Sequence, residues 1–129
     1  MYTDAVVEHF SNPRNVGTIE NPNVVVKVGD PGCGDAILIF LKIEDSVITD
    51  IKYKVYGCAA AIATTSMAST MVKGKTLAEA LEVTDEKVAA ALGGLPEGKM
   101  HCSNLSATAI RAAVTRYMHP PEENTQTAS

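Results

Sequence analysis

The sequence predicts an α+β domain: a three-stranded antiparallel sheet with helices packed on one face, a short N-terminal helix and a long C-terminal helix. Three observations carry this expectation. Two runs rich in branched apolar residues are joined by a short polar connection, a third such run lies just ahead of them, and apolar residues recur at helical spacing beyond residue 59.

Taken in order, Tyr2, Val6, His9 and Phe10 share one helical face, and Pro13 disfavours helical backbone at Asn12, so a short first helix ends there. Its apolar face reads as core, with a partner surface as the alternative. Asn23 to Val28 is valine-rich and follows Asn21-Pro22, which predicts a strand. Asp35 to Ile43 and Val47 to Tyr56 predict two more, joined as a hairpin at Glu44-Asp45-Ser46. The run AILIFLKI alternates poorly, as expected of a covered central strand, whereas Lys52 and Lys54 alternate with Ile51, Tyr53 and Val55, so one face of the sheet should be wet.

From Ala59, AAAIATTSMASTMVKG predicts a buried or half-buried helix with Gly74 fit for its C-terminal cap. Thr76 and Thr84 occupy helix N-cap positions, and only Thr76, with Glu79 three residues on, matches a capping box. After the glycine-rich break Gly93 to Gly98, Leu105, Ala109, Ala112, Ala113 and Tyr117 line one side of a last helix that His119-Pro120-Pro121 stops. One domain over residues 1–118 is expected, with 119–129 a disordered polar tail.

The chain has 129 residues, 46% hydrophobic and 20% charged, the composition of a soluble globular protein. A formal net charge of -4 and no arginine-rich stripe argue against a nucleic-acid binder, which must neutralise many phosphates. No apolar run is long enough to cross a bilayer, and MYTDAVVEHF carries acids where a signal peptide carries lysine or arginine, so a cytoplasmic protein is expected. Three cysteines in a reducing compartment disfavour a disulfide framework.

Each cysteine falls at a boundary between elements. Cys33 sits in PGCGD, where flanking glycines let another group approach the backbone. Cys58, in VYGCAAA, stands where the third strand gives way to a helix, and Cys102, in KMHCSNLS, stands at the start of the last helix. Unpaired amides at helix starts favour the thiolate, the form that binds metal or attacks sulfur, and Lys99 and His101 add to that bias at Cys102. If the three connections share one end of the fold, the thiolates can converge on a metal, with Asp35 or His101 as fourth ligand. There is no Cys-x-x-Cys pair, so spacing alone leaves open three small buried thiols, a strand-start carboxylate at Asp35 and a solvated His101. A hydrolase using Cys102 as nucleophile and His101 as base is disfavoured, because adjacent side chains at a helix start point apart. A plain zinc-binding adaptor is a third reading. His9 and His119 lack cysteine or carboxylate neighbours in the sequence and read as structural.

PGCGDA, YGCAAAIA and KMHCS, in this order and spacing and with NPRNVG near the start, resemble the IscU-type iron–sulfur cluster assembly scaffolds, a family that includes the N-terminal domain of NifU. The resemblance runs from about Tyr2 to Tyr117. It implies a scaffold, not an enzyme, on which a [2Fe–2S] cluster, and in some settings a [4Fe–4S] cluster, is built and handed to apo-proteins. Sulfur would arrive as a persulfide from a pyridoxal-phosphate cysteine desulfurase, with an iron donor and a ferredoxin as further partners. Cys33, Cys58 and Cys102 would be the thiolate ligands, Cys102 the first persulfide acceptor, Asp35 the residue that keeps the cluster labile, His101 an alternative ligand and Lys99 an assisting residue. Zinc is a possible substitute at the same ligands.

Two departures stand out. The family usually has glycine after the second cysteine, where Ala59 stands here, and the segment read by a specialised Hsp70 chaperone, Leu-Pro-Pro-Val-Lys in many members, is LPEGK, matching only at Leu95, Pro96 and Lys99. The nearest rival is a zinc-dependent SufU-type sulfur acceptor that stimulates a desulfurase. Such relatives carry a longer segment between the second and third cysteines and no histidine before the third, unlike this chain with His101.

Overall fold

A computed structural model describes residues 3–30, 35–57, 59–94 and 106–119, with the side chains of Asp30 and Asp35 outside the description. Helix α1 (Asp4–Ser11) is capped by Thr3, whose hydroxyl accepts the Val6 amide hydrogen and donates its own to the Leu92 carbonyl. Val6 and His9 are its buried residues, as the apolar face predicted, but Phe10 is 44% exposed.

Strands β1 (Val24–Asp30), β2 (Asp35–Glu44) and β3 (Val47–Tyr56) form an antiparallel sheet in the order β1-β2-β3. β1 runs beyond the expected end at Val28 because pairing continues through Gly29↔Ala36 and Asp30↔Asp35. Between β2 and β3 the pair Glu44↔Val47 leaves a two-residue turn, Asp45-Ser46, with φ of 53° and 63°. Both angles lie in the left-handed region that matches the sheet's twist and favours Asn-Gly. Ser46→Gly is therefore expected to stabilise the fold by about 0.5 kcal/mol, relief of side-chain strain being partly offset by the freer unfolded chain. A urea midpoint that stays put or falls would contradict this.

Ile37, Ile39, Leu41 and Ile43 of β2, with Ile51 and Tyr53 of β3 and Val24 and Val26 of β1, are buried under the helices. The other face presents Val25, Lys27, Leu38, Phe40, Lys52, Lys54 and Tyr56, so one side of the sheet is uncovered as expected. β2 nonetheless alternates in burial, with Leu38 and Phe40 half-buried, despite a sequence that does not alternate in polarity.

Helix α2 (Ala59–Val72) packs against β3 on one side and α1 on another. It buries residues all round its first three turns, and its small side chains allow that close approach. Its buried hydroxyls are satisfied locally: Thr65 Oγ1 donates to the Ala61 carbonyl and Ser69 Oγ to that of Ser66. Helix α3 (Leu77–Leu81) carries the expected capping box between Thr76 and Glu79, and α4 (Asp85–Ala91) is capped by Thr84. Helix α5 (Ser106–Met118) lies on β1 and β2. Its buried stripe is Ser106, Ala107, Ala109, Ile110, Ala113 and Val114, rotated from the expected one: Ala112 is half-buried and Tyr117 is 39% exposed. Leu105 and residues 120–129, most of the expected tail, lie outside the described residues.

Candidate functional site

The register of the sheet decides where two of the cysteine-bearing connections leave it. β1 ends at Asp30, which pairs with Asp35 at the start of β2, so the intervening residues 31–34, with Cys33, connect those two strands at that end. One position along, Ala36 pairs with Tyr56, the last residue of β3. From there the chain passes through Gly57 and Cys58 into α2, which begins at Ala59. Both connections thus belong to the same end of the sheet, anchored on adjacent strands.

Cys33, Cys58, Lys99, His101 and Cys102 themselves lie outside the described residues, and of Asp35 only the backbone is described, at the first position of β2. The third cysteine is tied to the fold through α5, which starts four residues later at Ser106. Among the described residues no group of three histidine, cysteine or acidic side chains could hold a metal ion. Nor is any helix there long and apolar enough to cross a membrane.

Two side chains that the sequence did not single out support the surroundings. Asp85 receives the first amides of α5, at 3.2 Å from Ala107 N and 3.4 Å from Thr108 N. Ser66, fully buried on α2, ties down the segment after α1: its Oγ lies 2.7 Å from His9 Nδ1 and accepts the Arg14 amide hydrogen at 2.9 Å. Burial holds the His9 imidazole below its usual range, with the Arg14 guanidinium acting in the same sense and Glu8 opposing. Tyr53 faces the same serine without meeting hydrogen-bond geometry, and burial pushes its phenol up to about 12. Only the clustering of Ser and Thr in a helix that is otherwise apolar hinted at Ser66. His119 is exposed at the C-terminal end of α5, where with Thr108, Arg111, Ala112, Thr115 and Arg116 it borders an open cavity of about 570 Å³.

An antiparallel meander backed by helices on one face, with two cysteine-bearing connections at one end of the sheet, defines a small α+β domain. A family model described as the NifU-like N-terminal domain matches residues 1–124, and the chain belongs to that family. It is 58% identical over 117 residues to the iron–sulfur cluster assembly scaffold protein IscU 1 of Archaeoglobus fulgidus, covering 91% of this chain and 76% of that one. It is 44% identical over 122 residues to the scaffold protein IscU of Azotobacter vinelandii, covering 92% and 94%. Among solved structures, the fold matches an N-terminal NifU-like protein from Brucella abortus with a TM-score of 0.75 at 20% identity, over 92% of this chain and 95% of that one.

Proposed function

We propose that this chain is a scaffold for iron–sulfur cluster assembly, receiving iron and sulfur, holding the product at three thiolates and passing it to apo-proteins. The observation that carries the reading is the sheet register, which brings the PGCGD and YGC segments to one sheet end in a chain 58% identical to a named scaffold. The cluster is cargo here, and Cys33, Cys58 and Cys102 are its proposed protein ligands.

In the proposed sequence the Cys102 thiolate attacks the outer sulfur of a persulfide on a cysteine desulfurase. An S–S bond forms at Cys102 as the donor's S–S bond breaks, and the donor's cysteine leaves as thiolate. Each sulfur delivered this way needs two electrons to become sulfide, which is the reason for a ferredoxin among the proposed partners. Lys99 beside the acceptor favours its anionic form. Three thiolates leave one position of a [2Fe–2S] unit to Asp35, His101 or a partner's ligand. A carboxylate or imidazole there exchanges more readily than a fourth thiolate. A cytoplasmic setting and a role without turnover of its own belong to the same proposal.

Anaerobic reconstitution with iron, cysteine and a cysteine desulfurase tests it. A visible charge-transfer spectrum that disappears as an apo-ferredoxin gains its own cluster is the expected result. Tight zinc with desulfurase stimulation and no transferable cluster would replace this reading by the SufU-type one.

A further inference from the structure

The start of α5 is held by a side chain from a different helix. Asp85 is the first residue of α4. Its Oδ1 accepts the amide hydrogens of Ala107 and Thr108 at 3.2 and 3.4 Å, and its Oδ2 accepts the Thr108 hydroxyl hydrogen at 2.9 Å. A helix leaves its first amides without intrahelical carbonyls, and a carboxylate there also meets the positive end of the helix dipole. Ser106 and Ala107 are fully buried, so water has poor access to replace Asp85 if it is removed. Asp85 thereby locks the first turn of α5 to the first turn of α4. Thr84, which accepts the Lys87 amide hydrogen, fixes that turn in its place.

We propose that Asp85 is a positioning residue for the assembly site, acting through α5 on Cys102. The inference rests on the scaffold reading for its purpose but not for its test. From Ser106 back to Cys102 the chain spans at most about 14 Å. The place where α5 begins therefore bounds the volume in which that thiol can meet Cys33 and Cys58. Releasing the first turn enlarges that volume, and it does so for one cysteine of the three. Thr108 takes part because its side chain and its amide end on the same carboxylate, which fixes the rotation of the turn as well as its distance.

The test uses the full chain without metal and compares the parent with Asp85→Ala, Asp85→Asn and Thr108→Val. Two quantities are read: amide hydrogen exchange at Ala107 and Thr108, and the alkylation rate of each cysteine resolved by peptide mass spectrometry. For Asp85→Ala, loss of the cap is expected to speed exchange at those amides about fivefold to tenfold. Alkylation of Cys102 should change about threefold while Cys33 and Cys58 keep the parental rates, since the α5 anchor bears on that cysteine alone of the three. Asp85→Asn keeps an acceptor oxygen and should fall between. Thr108→Val loses only the hydroxyl contact and should shift Cys102 in the same direction by less. If Asp85→Ala does not fold, the other two variants decide. Opened amides with an unaltered Cys102, or three thiols accelerated alike, overturn the proposal, the second because general destabilisation would produce it. A parent that forms no cluster would remove the scaffold reading and leave the thiol result standing.

Discussion

Asp35→Ala is expected to leave cluster formation intact and to slow loss of the cluster to an apo-acceptor by at least about tenfold, a rise of about 1.4 kcal/mol in the barrier. Iron in a cluster prefers thiolate sulfur, and a hard carboxylate oxygen beside it competes for the metal and opens a path by which an incoming thiolate displaces a bound one. Asp35 is two residues from Cys33 and opens β2, so its backbone is fixed by the ladder while the sequence just before it carries the thiol. In the proposed site, removing its carboxylate would remove the exchange path and leave the three thiolate ligands in place. Asp30 provides the control. It is the register partner of Asp35, so either replacement removes one acidic residue from the same pair of ladder positions, and only Asp35 follows Cys33. Asp30→Ala should release its cluster at the parental rate. Stopped-flow transfer to apo-ferredoxin, followed by absorption, separates the cases. Equal rates for Asp35→Ala and the parent would remove the role assigned to this carboxylate.

The elements legible from the chain were those whose boundaries are written in local chemistry. β3 runs from Val47 to Tyr56 as the alternation of lysines with apolar residues predicts, and the Thr76 capping box is present with both of its hydrogen bonds. β1 runs past the end that its sequence predicts. Gly29 and Asp30 have low strand preference, and what keeps them extended is the ladder to Ala36 and Asp35, a partner no local pattern reveals. Apolar identity alone puts Phe10 and Tyr117 on the inward stripes of α1 and α5, yet both are exposed. Ile110 and Val114 instead define the inward side of α5, and Tyr117 falls off that arc. At the site, the candidate residue types were legible, whereas a shared end for their connections was only a condition that the sequence permits, and the register is what brings two of them to one end of the sheet. The support from Asp85 was not legible, because an acid at the first turn of α4 already has an ordinary explanation in that helix's own dipole.

His9 illustrates the same limit from the other side, and it leads to a second large effect. Between pH 7.5 and pH 5 the parent is expected to lose folding stability that a His9→Asn protein keeps. The imidazole is 9% exposed, and Ser66 Oγ, which already accepts the Arg14 amide hydrogen, has its own hydrogen available for His9 Nδ1. That arrangement suits the neutral ring. Burial first, and the Arg14 guanidinium second, pull its pKa below 6.5, against the smaller influence of Glu8. The unfolded chain therefore takes up a proton near pH 6.5 that the folded chain declines. Stability is complete above that pH and falls as the solution is acidified, by up to about 1.4 kcal/mol per pH unit, until the folded ring is protonated too. Asparagine keeps an acceptor near the Nδ1 position but cannot titrate, so its cost, about 1 kcal/mol from lost ring packing, should not vary with pH across this range. His101 and His119 are common to both proteins, so the difference between the two stability curves isolates His9. Urea unfolding at pH 7.5, 6 and 5 gives those curves. Parallel curves would mean that the contact between α1 and α2 tolerates an imidazolium, and the packing of Val6 and Ser66 would then have to hold the first helix without help from the neutral ring.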